Sequence, residues 1–263
     1  MERKIMFGKF LAATNKGTRD KAMRELREWI QSQETIATLE MKKLWEGLYY
    51  TMYMTDKPVV QDEVAVSIAK LINDMPPGKN LLFTAIFFET MQRKWLKIDQ
   101  HRMNKYLMLI RVMLRHAYKF CAAAPDEVSK HKRLMNLNLI LTTLSKPQAA
   151  RNSRPDVKVK IARPEAGKDI INLASGIMLH VLDIMLFEAL QVEGLVTDMA
   201  LLMVVVEPAL DAIMSSPKES LARTADKRVL RLMIDSWAAD SELVGEVLGE
   251  AMAKMETGED DSD

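Results

Sequence analysis

The chain of 263 residues contains a single cysteine, Cys121, which excludes an internal disulfide framework and a cysteine-rich zinc site. Glycine and proline are also scarce, with 10 and 9 residues, against typical frequencies of about 7% and 5%. Few turn-forming residues, together with 20 methionines, favour a mostly helical chain with short connections. We expect Cys121 to be a small hydrophobic residue on a buried helix face, in a protein of a reducing compartment.

The sequence also lacks the motifs of common enzymes. It has no GxGxxG or Walker-type phosphate loop, and its four histidines (101, 116, 131 and 180) include no i, i+4 pair and no HExxH. The first residues contain no apolar run of the kind that a secretory signal needs. The most apolar stretch, residues 170–214, is interrupted by charged residues and is expected to be protein core. We therefore expect a protein that is not an enzyme, with no cofactor, metal, membrane or small-molecule substrate.

Apolar residues recur at helical spacing through nearly the whole chain, which predicts an all-α fold. Thr18 and Asp56 are predicted N-caps, and Pro58 is predicted in the first turn of its helix. The helix lengths and short connections favour stacked antiparallel helical hairpins, as in a HEAT-like solenoid. The predicted helices cover about residues 18–33, 39–54, 58–73, 79–95, 99–121, 126–144, 169–191, 195–214, 218–236 and 240–255.

Composition predicts one all-helical domain over residues 1–255, interrupted at 145–168. This segment contains three prolines and seven basic residues with almost no side chains to bury, so it is either a basic linker or an ordered loop. Residues 256–263 contain no apolar side chain whose burial would offset the entropy of ordering. They are expected to form a disordered acidic tail.

Charge is distributed unevenly along the chain. Residues 1–133 contain 24 basic and 15 acidic residues, whereas residues 134–263 contain 13 and 21, although the net charge is only +1. A basic first half suits a polyanionic partner, and the acidic end suits a solvated tail or a basic protein. Ordinary variation of the surface is the alternative explanation.

The best organised basic signal lies on the helix predicted at 99–121. At about 100° per residue, its apolar side chains cover one face and its cations gather opposite. Cations at i, i+4 without interleaved acids repel one another, which favours a phosphate-bearing partner over a merely solvated face, although acidic proteins also bind such helices. The candidate RNA-binding residues are Arg93, Lys94, Lys97, Lys105, Arg111, Arg115 and Lys119, with Arg151, Arg154, Lys158, Lys160 and Arg163 of the 145–168 segment.

His180 and Asp183 are the best acid–base candidates. They lie three residues apart, which places both on one face of a strongly apolar helix. A buried pair of this kind can act as a catalytic dyad. Because neither a nucleophile nor a metal ligand accompanies it, a structural hydrogen bond between solenoid layers is the favoured interpretation.

Several blocks of sequence, in order, resemble the eukaryotic ribosomal RNA processing protein 1 family. They begin with FGKFLA at Phe7 and continue with LWEGLYY from Leu44, MYMTDKPVVQ from Met52 and FFETMQRKW from Phe87. A looser block, GIMLHVLDI from Gly176, contains the His-x-x-Asp segment. The resemblance covers residues 5–121 well and 169–235 moderately.

This resemblance implies a nuclear, nucleolar and all-helical assembly factor of the large ribosomal subunit, needed for pre-rRNA processing without being the nuclease. Its implied partners are large-subunit pre-rRNA, other assembly factors and ribosomal proteins. The preferred hypothesis is a non-catalytic helical scaffold that binds pre-rRNA. The alternative is a protein–protein adaptor in the same particle with no direct contact to RNA.

Overall fold

In a computed structural model, residues 6–145, 170–195, 201 and 203–206 are described, and every regular element within them is helical. The all-α fold predicted from the sequence is therefore confirmed. The predicted helices at 218–236 and 240–255, most of that at 195–214, and the acidic tail lie outside the described residues. The helices are α1 (Met6–Leu11), α2 (Lys16–Gln31), α3 (Thr38–Tyr53), α4 (Pro58–Asp74), α5 (Asn80–Lys94), α6 (Gln100–Ala122), α7 (Glu127–Ser145) and α8 (Ile170–Leu190), with a 3-10 turn at Trp95–Lys97.

The helix starts differ from the prediction at two places. Asn15, not Thr18, is the N-cap of α2, and its side chain accepts a hydrogen bond from the Thr18 amide at 3.0 Å. Asp56 is not the N-cap of α4, because Lys57 occupies that position and makes no side-chain cap bond. Pro58 begins α4 as predicted, where its missing amide leaves no hydrogen bond unmade.

The helices form two layers. The even layer consists of α2, α4, α6 and α8, each packed on the next, and the odd layer consists of α1, α3, α5 and α7. Consecutive helices such as α1 and α2, α3 and α4, and α6 and α7 also contact one another across the layers. This repetition of helix pairs agrees with the helical-repeat architecture expected from the element lengths.

The polar contacts between neighbouring helices of one layer show that these helices run parallel. Successive contacts between α3 and α5 keep one sequence separation, 47 residues, and those between α6 and α8 keep another, 73 residues. These contacts are Arg27–Asp74 between α2 and α4, Lys42–Glu89 and Glu46–Arg93 between α3 and α5, and Leu107–His180 and Arg115–Glu188 between α6 and α8.

The centre of the odd layer is aromatic. Trp45 is buried between α3 and α5, its indole N–H donates to the Phe83 carbonyl at 2.9 Å, and its ring lies 4.5 Å from the Phe83 ring. One turn later, Tyr49 stacks on Tyr106 of α6 with ring centroids 4.9 Å apart. These large side chains join the odd layer to the even layer and fix where the end of α3 meets α6.

Gly47 permits a close approach of α1 and α3 in the odd layer. A Cβ atom added at this position would lie 2.9 Å from a methyl group of Leu11 and 3.3 Å from the Cα atom of Gly8. Thr51, one turn later on α3, donates its hydroxyl to the Leu11 carbonyl at 2.9 Å. The short helix α1, which periodicity alone did not predict, is therefore held against α3 by tertiary packing.

Candidate nucleic-acid interface

Arg111, Arg115 and Lys119 lie along one stripe of α6, as the helical wheel predicted. Tyr106 of the same helix faces α3, and Arg115 follows it by nine residues, which at about 100° per residue places it on the opposite side. Lys119 is exposed and forms no ion pair with any residue that the structure describes. The stripe thus belongs to the outer face of the even layer.

A buried acid from α8 holds the two arginines of this stripe. Glu188 is 0% exposed, and its carboxylate oxygens lie 3.3 Å from Nε of Arg111 and 2.5 Å from Nε of Arg115. The arginine side chains remain 47% and 36% exposed. The carboxylate therefore compensates one of the two positive charges. It accepts a hydrogen bond from Arg115 and forms an ion pair without a hydrogen bond with Arg111.

Cations from two further helices adjoin this stripe. Burial lowers the pKa of His116 on α6, and the nearby positive charges of Lys119 and of Lys70 on α4 lower it further. Arg24 on α2 and Lys70 line a groove of about 390 Å³ between α2 and α4. We call the set Arg24, Lys70, Arg111, Arg115 and Lys119 the basic band; it crosses three parallel helices.

The cations at the α5–α6 corner lie elsewhere. Arg93 and Lys94 both pair with Glu46 of α3, with Lys94 Nζ 2.8 Å from a carboxylate oxygen, and only Lys97 is exposed with no ion pair to a described residue. This corner adjoins the face of α6 that packs on α3. The structure therefore does not join these cations to the stripe of α6 in one row.

Lys105 is buried rather than presented to solvent. Its side chain is 4% exposed, and its ammonium group donates hydrogen bonds of 2.8 Å to the carbonyls of Tyr53 and Thr55 just beyond the end of α3. Burial lowers its pKa, and the carboxylate of Asp56, at 3.9 Å, opposes that effect. Lys105 thus satisfies backbone carbonyls at the α3–α6 contact, and it is absent from the surface proposed below.

The polar residues of α8 lie at the contact with α6. His180 Nε2 is 3.0 Å from the Leu107 carbonyl, so this nitrogen carries the hydrogen and donates it. Burial lowers the pKa of His180, which favours the neutral ring. The hydrogen bond joins neighbouring helices of one layer, and Asp183 lies three residues further along the same helix.

The remaining sequence candidates are Arg151, Arg154, Lys158, Lys160 and Arg163, and they lie outside the described residues. Within the described ranges, no group of three or more histidine, cysteine, aspartate or glutamate side chains is placed to hold a metal ion. None of the described helices is both long and apolar enough to cross a membrane. Cys121 is fully buried, as predicted, and burial raises the pKa of its thiol to about 12.

Comparison with known families gives a match over nearly the whole chain. The model of the family described as "Nucleolar protein, Nop52" matches residues 2–263. The chain belongs to the Nop52 family. This membership confirms the resemblance drawn from the sequence blocks, and it supports a nucleolar location and a role in ribosome biogenesis.

Curated relatives of this Nop52-family chain carry the name ribosomal RNA processing protein 1. The human homolog B is 31% identical over 176 residues, which cover 64% of the chain and 23% of the relative. The mouse homolog B is 28% identical over 266 residues, covering 98% and 32%, and the Drosophila melanogaster homolog is 34% identical over 116 residues, covering 42% and 17%. The chain thus spans about a third or less of the length of these relatives.

Reasoning from the Nop52-family sequence missed Arg24 and Lys70 of the basic band. Lys70 is the one cation of α4, and Arg24 is one of five cations of α2 that alternate with acids, so no uninterrupted run of charge marks either residue. The signal that could have found them is their position on α2 and α4, on the side away from the buried apolar residues. Combining such positions requires knowledge of which helices share a layer.

Proposed function

We propose that this chain is a non-catalytic helical scaffold in the pre-ribosomal particle of the large subunit, and that its basic band binds the phosphates of pre-rRNA. The band is the observation that carries the proposal, because cations from α2, α4 and α6 adjoin on one face. Family membership supports the particle, and the charges support the contact with RNA. Other assembly factors and ribosomal proteins are its further partners.

The lysines of the band provide the strongest argument for phosphate. Lys70 and Lys119 come from neighbouring helices, both act on His116, and neither forms an ion pair with a described residue. Both lysines act electrostatically on the same imidazole, so a phosphate bound near His116 would be attracted by two uncompensated cations. Arg111 and Arg115 extend the surface with guanidinium groups that pair with Glu188.

The test is a charge reversal of the two lysines, which leaves the ion pairs of the buried Glu188 with Arg111 and Arg115 in place. Lys70→Glu with Lys119→Glu should weaken binding to a structured RNA stem-loop, because two phosphate contacts are lost. The slope of log K against log salt should flatten by about 1.4–1.8, since each contact contributes about 0.7–0.9. Fluorescence anisotropy across a salt series on the full chain measures both quantities.

The matched control reverses two lysines of the odd layer, Lys9 and Lys132. Both are exposed, and neither forms an ion pair within the described part of the chain. The control makes the same change in net charge. If the binding surface is local, the control should retain the wild-type slope of log K against log salt. Equal losses in the two double variants, or no loss in either, would contradict the proposed surface.

The adaptor hypothesis is favoured by one separate feature, the outer side of α7. Val128, Met135 and Leu139 are exposed there at helical spacing, which suits an apolar contact with protein rather than with phosphate. Co-sedimentation with pre-ribosomal particles distinguishes the two functions. An adaptor would lose particle association in a Met135→Asp, Leu139→Asp variant and show wild-type sedimentation in the Lys70→Glu, Lys119→Glu variant.

A further inference from the structure

Four tyrosines meet where the end of α3 contacts α6. We call Tyr49, Tyr50, Tyr53 and Tyr106 the tyrosine cluster. Tyr49 and Tyr106 are buried and stacked, and the Tyr106 hydroxyl donates to the Tyr49 carbonyl at 3.0 Å. Tyr50 is 40% exposed, with its ring edge-to-face against Tyr49 at 5.3 Å and against Tyr53 at 6.1 Å. The cluster therefore presents one aromatic ring to solvent on a packed aromatic base.

Cations lie beside the rings of this cluster, and carboxylates pair with several of them: Glu46 with Arg93 and Lys94, and Asp99 with Arg102 at 2.5 Å. Lys94 Nζ lies 5.1 Å from the centre of the Tyr50 ring, and the guanidinium of Arg102 lies 4.2 Å from the centre of the Tyr53 ring. Arg93 and Lys97 flank Lys94 in the chain and are both exposed. Glu46 pairs with Arg93 and Lys94 together, so one carboxylate holds two cations at this corner.

We propose that Tyr50 is a stacking site for one unpaired RNA base, and that Arg93 and Lys97 contact the phosphates beside that base. This inference rests on the proposed function, because it requires that the chain binds RNA. It adds a second contact on a different face from the basic band, and it assigns that contact to single-stranded rather than helical RNA.

The chemistry of the site matches a nucleotide better than an acidic peptide. A base offers a flat aromatic face that stacks on tyrosine whatever its sequence, and the adjoining phosphate offers the anion that the cations favour. An acidic side chain would use only the cations and would leave the tyrosine ring with no comparable partner. The combination of an exposed ring and flanking cations therefore favours RNA.

The site is also held in place before any ligand arrives. Lys105 ties the carbonyls of Tyr53 and Thr55 to α6, and the stacked pair beneath Tyr50 fixes the last turn of α3. Binding a base would therefore order few additional side chains, which lowers the entropic cost of association.

The experiment compares a single-stranded oligoribonucleotide with an RNA duplex of the same length, using fluorescence anisotropy on the full chain. Tyr50→Ala should weaken binding of the single strand by about 5-fold to 150-fold, which corresponds to the loss of one stacked base. Its salt slope and its affinity for the duplex should stay at the wild-type values. Tyr50→Trp should retain or strengthen single-strand binding, because indole also stacks.

Two further variants control for folding and for the loss of apolar surface. Tyr50→Leu keeps the bulk of the side chain without an aromatic face, so it should show the same selective loss as Tyr50→Ala. Leu39→Ala removes an exposed apolar side chain from the other end of α3, and it should leave affinity for both RNAs unchanged. Thermal unfolding of each variant verifies that the fold is retained.

The outcomes separate this inference from the proposed function. An unchanged single-strand affinity in Tyr50→Ala and Tyr50→Leu, or an equal loss for duplex and single strand, overturns the stacking site while the charge-reversal result stands. Loss of particle association with wild-type RNA affinity would make Tyr50 a protein contact and also overturns it. Wild-type protein that binds neither RNA in a salt-dependent way refutes the proposed function itself.

Discussion

Replacement of Lys105 by methionine separates a structural cation from a binding cation on the same helix. Methionine keeps an unbranched apolar side chain in the buried position but removes the ammonium group. The carbonyls of Tyr53 and Thr55, each 2.8 Å from Nζ, would then lose this donor. The Thr55 carbonyl would keep a second donor, because Gln61 Nε2 lies 3.1 Å from it.

The expected loss of stability follows from these two hydrogen bonds. Each buried carbonyl left without a partner costs about 1–3 kcal/mol. Part of this cost is offset, because the variant no longer removes an ammonium group from water, the same burial that lowers the pKa of Lys105. Because the Thr55 carbonyl keeps Gln61 as a donor, we expect a net decrease of about 1–2 kcal/mol in the free energy of unfolding, or about 2–8 °C in Tm for a chain of this size.

Lys119→Met is the matched comparison, since it makes the same substitution at an exposed position of α6. It should change the free energy of unfolding by less than about 0.5 kcal/mol. Urea unfolding followed by circular dichroism gives the stability, and anisotropy with a stem-loop RNA gives the affinity. Lys105→Met should lose stability and keep the wild-type salt slope of RNA binding. Lys119→Met should keep the wild-type stability and flatten the salt slope.

The reasoning is refuted if the two variants are equally stable, or if Lys105→Met flattens the salt slope in native protein. The first result would mean that water satisfies the carbonyls at the end of α3. The second would mean that Lys105 leaves its buried position to contact phosphate. Only the second result would return Lys105 to the surface set that the sequence suggested.

Three further comparisons use matched pairs and pH. Gly47→Ala should destabilise the fold by about 1–3 kcal/mol in urea unfolding, because its methyl group meets α1, whereas Gly8→Ala, with nothing within 4 Å, should be neutral or slightly stabilising. Tyr118→Phe should raise Tm, because that buried hydroxyl has no hydrogen-bond partner in the described part of the chain, and Tyr106→Phe should lower it through loss of one hydrogen bond. Burial lowers the pKa of His180 in the folded protein, so the unfolded chain binds this proton at a higher pH than the folded chain does. The free energy of unfolding should therefore fall as the pH drops below 6.5. In His180→Gln it should fall less steeply. Equal pH slopes would contradict that assignment.

The helices were predictable because their signals are local. Apolar spacing located α2 to α8, and the Met75–Gly78 break ends α4 as its prolines require. The N-cap of α2 was misassigned for a local reason as well. Asn15 and Thr18 are both capping residues, and the structure uses one as the acceptor and the backbone amide of the other as the donor.

The site was less predictable because its decisive contacts are distant in sequence. A wheel placed Arg111, Arg115 and Lys119 on one face correctly, but Glu188 lies 73 residues after Arg115. Lys105 looked like a member of the exposed set until its carbonyl partners, 50 and 52 residues away, were known. No helical wheel contains that information.

These contacts between residues distant in sequence also change which charges support binding to phosphate. On an isolated α6, repulsion between Arg111 and Arg115 was an argument for an anionic ligand, yet the buried carboxylate of Glu188 already relieves it from across the seam. Lys70 of α4 and Lys119 of α6 both act electrostatically on His116, and no acid in the described chain pairs with either lysine. The electrostatic case for RNA therefore shifts from a row along one helix to a contact between two. Within the basic band, Lys70 and Lys119 are the cations to which this argument applies, because the described helices supply Glu188 to the two arginines and no acid to the two lysines.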